Sequence, residues 1–165
     1  MEDQVENEDF DEEEYYPSWL GQALLSNDLP WINAKTCTIQ EFLAVYTLHD
    51  SHWVNLFFDV ANNNEVTLVI IWDAVWSPDE IAKSTTLVND WPLLFIKLEV
   101  IRQVCTQGYE TVTNVHRGIA KTEIDEIDGK KVFVIHDHFC GSVEIVFEGA
   151  AHFLALNTKK ELLKI

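Results

Sequence analysis

A chain of 165 residues with 28 Asp and Glu against 11 Lys and Arg carries a formal charge of −17 at one-domain length. Its 47% hydrophobic and 12% aromatic content supplies a packed core and excludes a wholly disordered chain. The sign of the charge excludes direct binding to phosphate backbones or anionic membrane surfaces, and it favours a basic protein as partner.

The charge is unevenly placed. Residues 1–16 hold nine Asp or Glu, Glu12, Glu13 and Glu14 among them, and no Lys or Arg; they contribute −9 and the other 149 residues −8. A like-charge block of this density repels itself and stays solvated. The sequence therefore divides into a disordered acidic tail over 1–16 and a single α+β domain over 17–165. Tyr15 and Tyr16 end the tail and have the character of a docking segment. No basic segment precedes an apolar one at the N-terminus, no apolar run is long enough to span a membrane, and the three cysteines form no disulfide framework. A cytoplasmic setting is the expectation.

Trp19, Leu20, Ala23 and Leu24 share a helical face, which ends before Pro30. Thr38-Ile39-Gln40-Glu41 reads as a capping box and predicts a second helix running to about residue 49. The period then changes to 2. Residues 53–60 and 66–76 read as strands of a hairpin joined by 61–65, with Phe58 opposite Leu68 and Leu56 opposite Ile70. Ser77-Pro78 predicts the start of a brief helix. Residues 93–104 are strand-like with a helical alternative. Strands over 111–115 and 119–127 lead to Asp128-Gly129, a strong hairpin signal. Strands over 131–139, 142–147 and 151–156 follow, then one helical turn near 159–163. The expected fold is α+β: N-terminal helices packed on a mostly antiparallel sheet that ends in a C-terminal β-meander.

Chemistry is concentrated in histidines. His136 and His138, at i and i+2, point from one face of a strand, the spacing that presents two imidazoles to one metal. Cys140 extends that face, and His49 or His52 would complete a Zn or Fe site from the helix-to-strand corner. Two registers of the strands flanking Cys140-Gly141 are open: one sets Val143, Ile145 and Phe147 opposite the histidine face, and a slip of one brings Glu144 beside His138. No catalytic residue is assigned: the chain has no Gly-x-Ser-x-Gly elbow and no glycine-rich phosphate loop. Asp59 and Asp73 are a candidate carboxylate pair at one end of the first hairpin.

The leading expectation is a non-enzymatic binding module of immunity or inhibitor type, similar to such proteins in size and composition, which occludes a basic protein. Glu12, Glu13, Glu14, Tyr15, Tyr16, Trp19, Trp31, Trp76, Asp79 and Glu80 are the candidate contacts, with the run 123–128 adding charge. Carboxylates would steer the encounter and aromatics anchor it, with no cofactor. A metal-dependent enzyme built on His136 and His138 is the first alternative, and a nucleic-acid mimic the second.

Overall fold

Over residues 130–137 and 142–147 buried apolar side chains alternate with more exposed ones, and over 65–71, 93–98 and 151–156 they run nearly unbroken; the backbone answers both patterns with strands. The computed structural model describes residues 17–59, 64–73, 91–108 and 117–165. Among them the strands are β1 (Lys35–Thr36), β2 (His52–Asp59), β3 (Glu65–Ile71), β4 (Leu93–Leu98), β5 (Ile101–Gln107), β6 (Arg117–Ile127), β7 (Lys130–Asp137), β8 (Ser142–Phe147), β9 (Ala151–Leu156) and β10 (Leu162–Leu163). The helices are α1 (Leu20–Leu25) and α2 (Ile39–Leu43), with a 3-10 turn at Trp31–Asn33.

The expected α+β layering is overturned. Helices of six and five residues are too short to form a layer of their own, so the layers are sheets and the fold is mostly β. The helix start at Thr38 is as the sequence predicts: its side chain accepts from Glu41 N, and the Glu41 carboxylate accepts from Thr38 N. The helix stops at Leu43, however, because Leu48 is buried in the core and the Thr47 carbonyl accepts from Trp72 Nε1 at 2.9 Å. The final lysine-rich segment pairs with β9 as β10 instead of forming a helical turn. The expected helix after Ser77, the 111–115 strand and the tail lie outside the described residues.

Every ladder among the described residues is antiparallel. The first sheet runs β1-β9-β4-β3-β2 and the second β6-β7-β8-β5, joined where Arg117 and Gly118 of β6 pair with β2. A second junction is a corner. β4 turns into β5 at Glu99–Val100, and β8 into β9 at 148–150, while the ladder between them continues. Glu99 N donates to Ala150 O, Gly149 N to Glu99 O and Glu148 N to Val100 O. Counted through that corner, the hydrogen-bonded strands close into a ring.

The ring encloses the main core, with Val66, Leu68, Ile70, Leu94, Ile96 and Phe153 from the first sheet facing Ile119, Phe133, Ile135, Val143, Ile145 and Phe147 from the second. α2 inserts Ile39 and Phe42 into this interior. A second cluster covers the outer face of the first sheet, where Leu20, Ala23 and Leu29 pack on Val69, Ile71, Phe95 and Leu154.

The first hairpin is tighter by two residues than the sequence suggests: Phe58 opposes Val66 and Leu56 opposes Leu68. Asp59 therefore faces Glu65, while Asp73 is buried beyond the other end of β3 and its amide donates to Ser51 Oγ. Burial pushes the Glu65 carboxyl above its ordinary range; Lys97 opposes this, and Glu99 and Asp59 add to it. Like charges directly opposite on a ladder are destabilising, so Glu65→Gln is expected to raise stability by about 0.5 kcal/mol at pH 7. A raised folded-state value means the ionised form is disfavoured by folding, so the advantage is present above that value. It fades as the pH falls through it and Glu65 takes up its proton. Urea unfolding at pH 7 and pH 4 checks this; an advantage that grew toward pH 4 would contradict it. No described helix is long and apolar enough to cross a membrane.

Candidate functional site

The two sheets differ in what lies on their outer faces. α1 and the 3-10 turn lie on the first, and the cluster they form holds no residue of the second. The register places Lys121, Glu123 and Asp125 of β6 beside His136, Val134 and Val132 of β7. Those β7 residues face Ser142, Glu144 and Val146 of β8, and Glu144 and Val146 face Cys105 and Gln103 of β5. Their alternates, Phe133, Ile135, Val143, Ile145 and Phe147, are buried in the core. The outer face thus has a half-buried centre of Val132, Val134 and Val146, with carboxylates around it.

One of these carboxylates is engaged locally. Glu123 Oε2 lies 2.7 Å from His136 Nε2, and Glu123 Oε1 accepts from Lys121 Nζ at 3.0 Å. Those hydrogen bonds, the histidine's first, hold the Glu123 carboxyl below the usual range. At the rim, Glu148 accepts from Arg102 Nε at 2.9 Å, which lowers its carboxyl in the same way. Asp125 and Glu144 have no ion-pair partner among the described residues. Glu126 and Asp128 extend the acidic edge into the β6–β7 turn, where Asp128 (φ 52°) and Gly129 (φ 75°) adopt the left-handed conformation of a tight hairpin.

The histidines divide among separate partners. β7 ends at Asp137, whose carboxylate accepts from Phe139 N and Gly141 N, so His138 lies in a turn while His136 stays on the sheet. The pairing His136–Ser142 puts Val143, Ile145 and Phe147 on the core side, and it puts Glu144 beside Val134 and not beside His138. His138 instead meets the α2–β2 connection. Its Nε2 is 3.2 Å from Asp50 Oδ1, and His49 Nε2 is 3.5 Å from Asp50 Oδ2. His49 Nδ1 lies 2.9 Å from the Ala120 carbonyl, which can only accept, so that nitrogen carries the proton. Gly118 makes room for this: a Cβ there would come within 3.0 Å of the His138 ring. His52 stacks edge-on against Trp91, with ring centroids 5.9 Å apart.

The structure therefore brings His49 and His138 together around Asp50 and takes His136 and His52 elsewhere. Among the described residues no group of three or more His, Cys, Asp or Glu is placed to hold a metal ion. Cys37, Cys105 and Cys140 are free thiols.

Trp19 and Trp31 are half-buried pins of the first sheet's outer cluster. Trp19 Nε1 donates to Thr158 O at 2.8 Å, and Lys97 Nζ sits 4.4 Å from the Trp31 ring centre. Glu12, Glu13, Glu14, Tyr15, Tyr16, Trp76, Asp79 and Glu80 lie outside the described residues. Sequence reasoning found the acidic run 123–128 but not the valine-centred face it borders. The alternation in 130–137 and 142–147 carries that signal once the register is known. No family model, curated protein or solved structure matches the chain.

Proposed function

We propose that the protein is a non-enzymatic binding module that receives a basic protein on the outer face of its second sheet and occludes it. The supporting observation is that face: an apolar centre of Val132, Val134 and Val146 bordered by Glu123, Asp125 and Glu144, the pattern of a desolvated middle with a polar rim. The distribution of charge favours the same reading. Ten of the eleven Lys and Arg but only fifteen of the 28 Asp and Glu fall in the described residues, so most of the net −17 resides in the remaining segments. Those carboxylates raise the encounter rate of a cationic partner, and the sheet face retains it.

The test is affinity capture with the full chain at low salt, followed by binding measurements with whatever basic protein is recovered. Val134→Lys combined with Glu144→Lys is expected to weaken that binding at least about tenfold, or about 1.4 kcal/mol. Glu161→Lys, on a different part of the molecule, should leave it unchanged. Raising the salt should slow association by screening the steering charges. Binding that survives both the double substitution and high salt would refute the assignment.

A further inference from the structure

One of the three carboxylates that border the valine centre is held by a titratable group. His136 lies opposite Lys121 of β6 and Ser142 of β8, and diagonal to Glu123 on one side and Glu144 on the other. Along β7 the next titratable group is His138, whose ring is turned to Asp50. The His136 side chain is 32% exposed; its Nε2 is 2.7 Å from Glu123 Oε2, while Lys121 Nζ donates to Glu123 Oε1. These hydrogen bonds hold the Glu123 carboxyl low, so it is ionised at neutral pH. A carboxylate only accepts, so Nε2 carries the proton when the ring is neutral. Of the described histidines this one alone is on that face: His49 and His138 are at Asp50, His52 is against Trp91 and His152 against Glu99.

A second proton, on Nδ1, therefore changes the charge of the face without breaking a contact. With the ring neutral, Lys121, Glu123 and His136 carry no net charge; with it protonated they carry one positive charge. Val134 lies directly between Glu123 and Glu144 in the ladder and next to His136 on the same face. A cationic side chain drawn to those carboxylates meets the new charge at about 7–8 Å, the spacing of same-face and diagonal neighbours. A seated partner also withdraws the imidazole from water, which disfavours its charged form. Like charge and desolvation act in the same direction.

We propose that His136 is a proton-operated release on the outer face of the second sheet: the face holds a basic partner while this imidazole is neutral and releases it when the imidazole is protonated. The inference rests on the reading of that face as the site of a basic protein, and it adds how the site is regulated. Protonation is disfavoured in the complex, so partner and proton compete. Binding is at full strength above the range in which imidazoles titrate and falls as the pH drops through it, between about 8 and 5. Carboxylates and ammonium groups as classes keep their charges over that range, so the imidazole supplies the change. By linkage, the partner moves the titration of His136 to lower pH by the same factor.

An end-capped peptide of lysines alternating with valines tests this, since it has no group of its own that titrates in that range. Its binding to the full chain is followed in NMR spectra through the backbone amides of residues 132–134 and 144–146. Kd is expected to rise about fivefold or more from pH 7.5 to pH 5.5. His136→Gln keeps an N–H donor for Glu123 but does not titrate, and its Kd should change by less than about twofold. His138→Gln, altered in the turn beside the face, should keep the wild-type dependence. The His136 ring signals should titrate at lower pH with the peptide present than without it. Peptide bound at those amides with the same pH dependence in wild type and His136→Gln would overturn the proposal and leave the face standing, as would a ring titration that the peptide does not move. Amides unshifted by the peptide at every pH would overturn the face and the proposal together.

Discussion

Phe42→Ala is expected to cost about 3–5 kcal/mol, a large share of the stability of a domain this size. Phe42 is 1% exposed and stacks on Phe153 with centroids 4.0 Å apart and planes 5° from parallel. Tyr46 and Trp72 pack on its other sides at 5.0 and 6.0 Å. No neighbour is positioned to fill the vacated space, because Trp72 is itself fixed by its hydrogen bond to Thr47 O. The helix suffers with the core. Five residues cannot sustain a helix in water, so α2 exists because Ile39 and Phe42 are held inside the ring. Val45→Ala, just past the same helix and 67% exposed, should change stability by less than about 0.5 kcal/mol. Urea unfolding of both variants decides the matter; a Phe42→Ala loss under about 1 kcal/mol would mean that α2 is peripheral.

That helix marks the boundary of what the sequence makes legible. Its start is a local event, since a hydroxyl and a carboxylate three residues apart satisfy each other's amides, and Thr38 and Glu41 do so. Its end is a tertiary event, set by where Trp72 and the core receive Thr47 and Leu48, and no local signal records it. The same division runs through the sheets. Asp128-Gly129 announces its hairpin because both residues tolerate a positive φ. Val100 also has a positive φ, 57°, at the β4–β5 corner, and a β-branched residue gives no warning of that. The 93–104 segment consequently reads as one ambiguous element when it is two strands in different sheets. The α+β expectation follows from counting helix starts without knowing how soon each helix stops.

The candidate site follows the same logic. Two histidines at i and i+2 share a face only while the strand continues, and the Asp137 side chain ends β7 by taking the amides of Phe139 and Gly141. Once His138 turns toward Asp50, the residues left on the sheet face are His136, Val134 and Val132 with their β8 partners. A spacing rule for metal ligands is thus replaced by an apolar face with an acidic border. The sequence reported the charges faithfully, but which apolar residues accompany them depends on a register that one residue of slip would invert.

Gly149→Ala should lower stability by about 2–3 kcal/mol, more than is usual for so small a change. A Cβ at Gly149 would lie 2.6 Å from Glu99 Cβ, 2.8 Å from Glu99 O and 2.9 Å from Glu99 C. Most of that obstruction is backbone, which moves only by giving up the hydrogen bonds of the corner. Gly149 N donates to Glu99 O at 3.0 Å, Glu99 N to Ala150 O at 3.1 Å and Glu148 N to Val100 O at 3.1 Å. These bonds carry the ladder from one sheet to the other, so the methyl group acts on the closure of the ring. Gly21→Ala is the matched control. Gly21 is exposed in α1, and a methyl group added there would meet nothing within 4 Å. Alanine at that position should stabilise by up to about 1 kcal/mol through helix propensity. The same chemical change therefore has opposite signs at two sites. Thermal unfolding gives the signs, and hydrogen exchange gives the location: the Glu148 and Ile101 amides should lose protection in Gly149→Ala while those of α2 keep theirs. Equal shifts for the two variants, or protection lost uniformly, would show that the corner does not hold the sheets together.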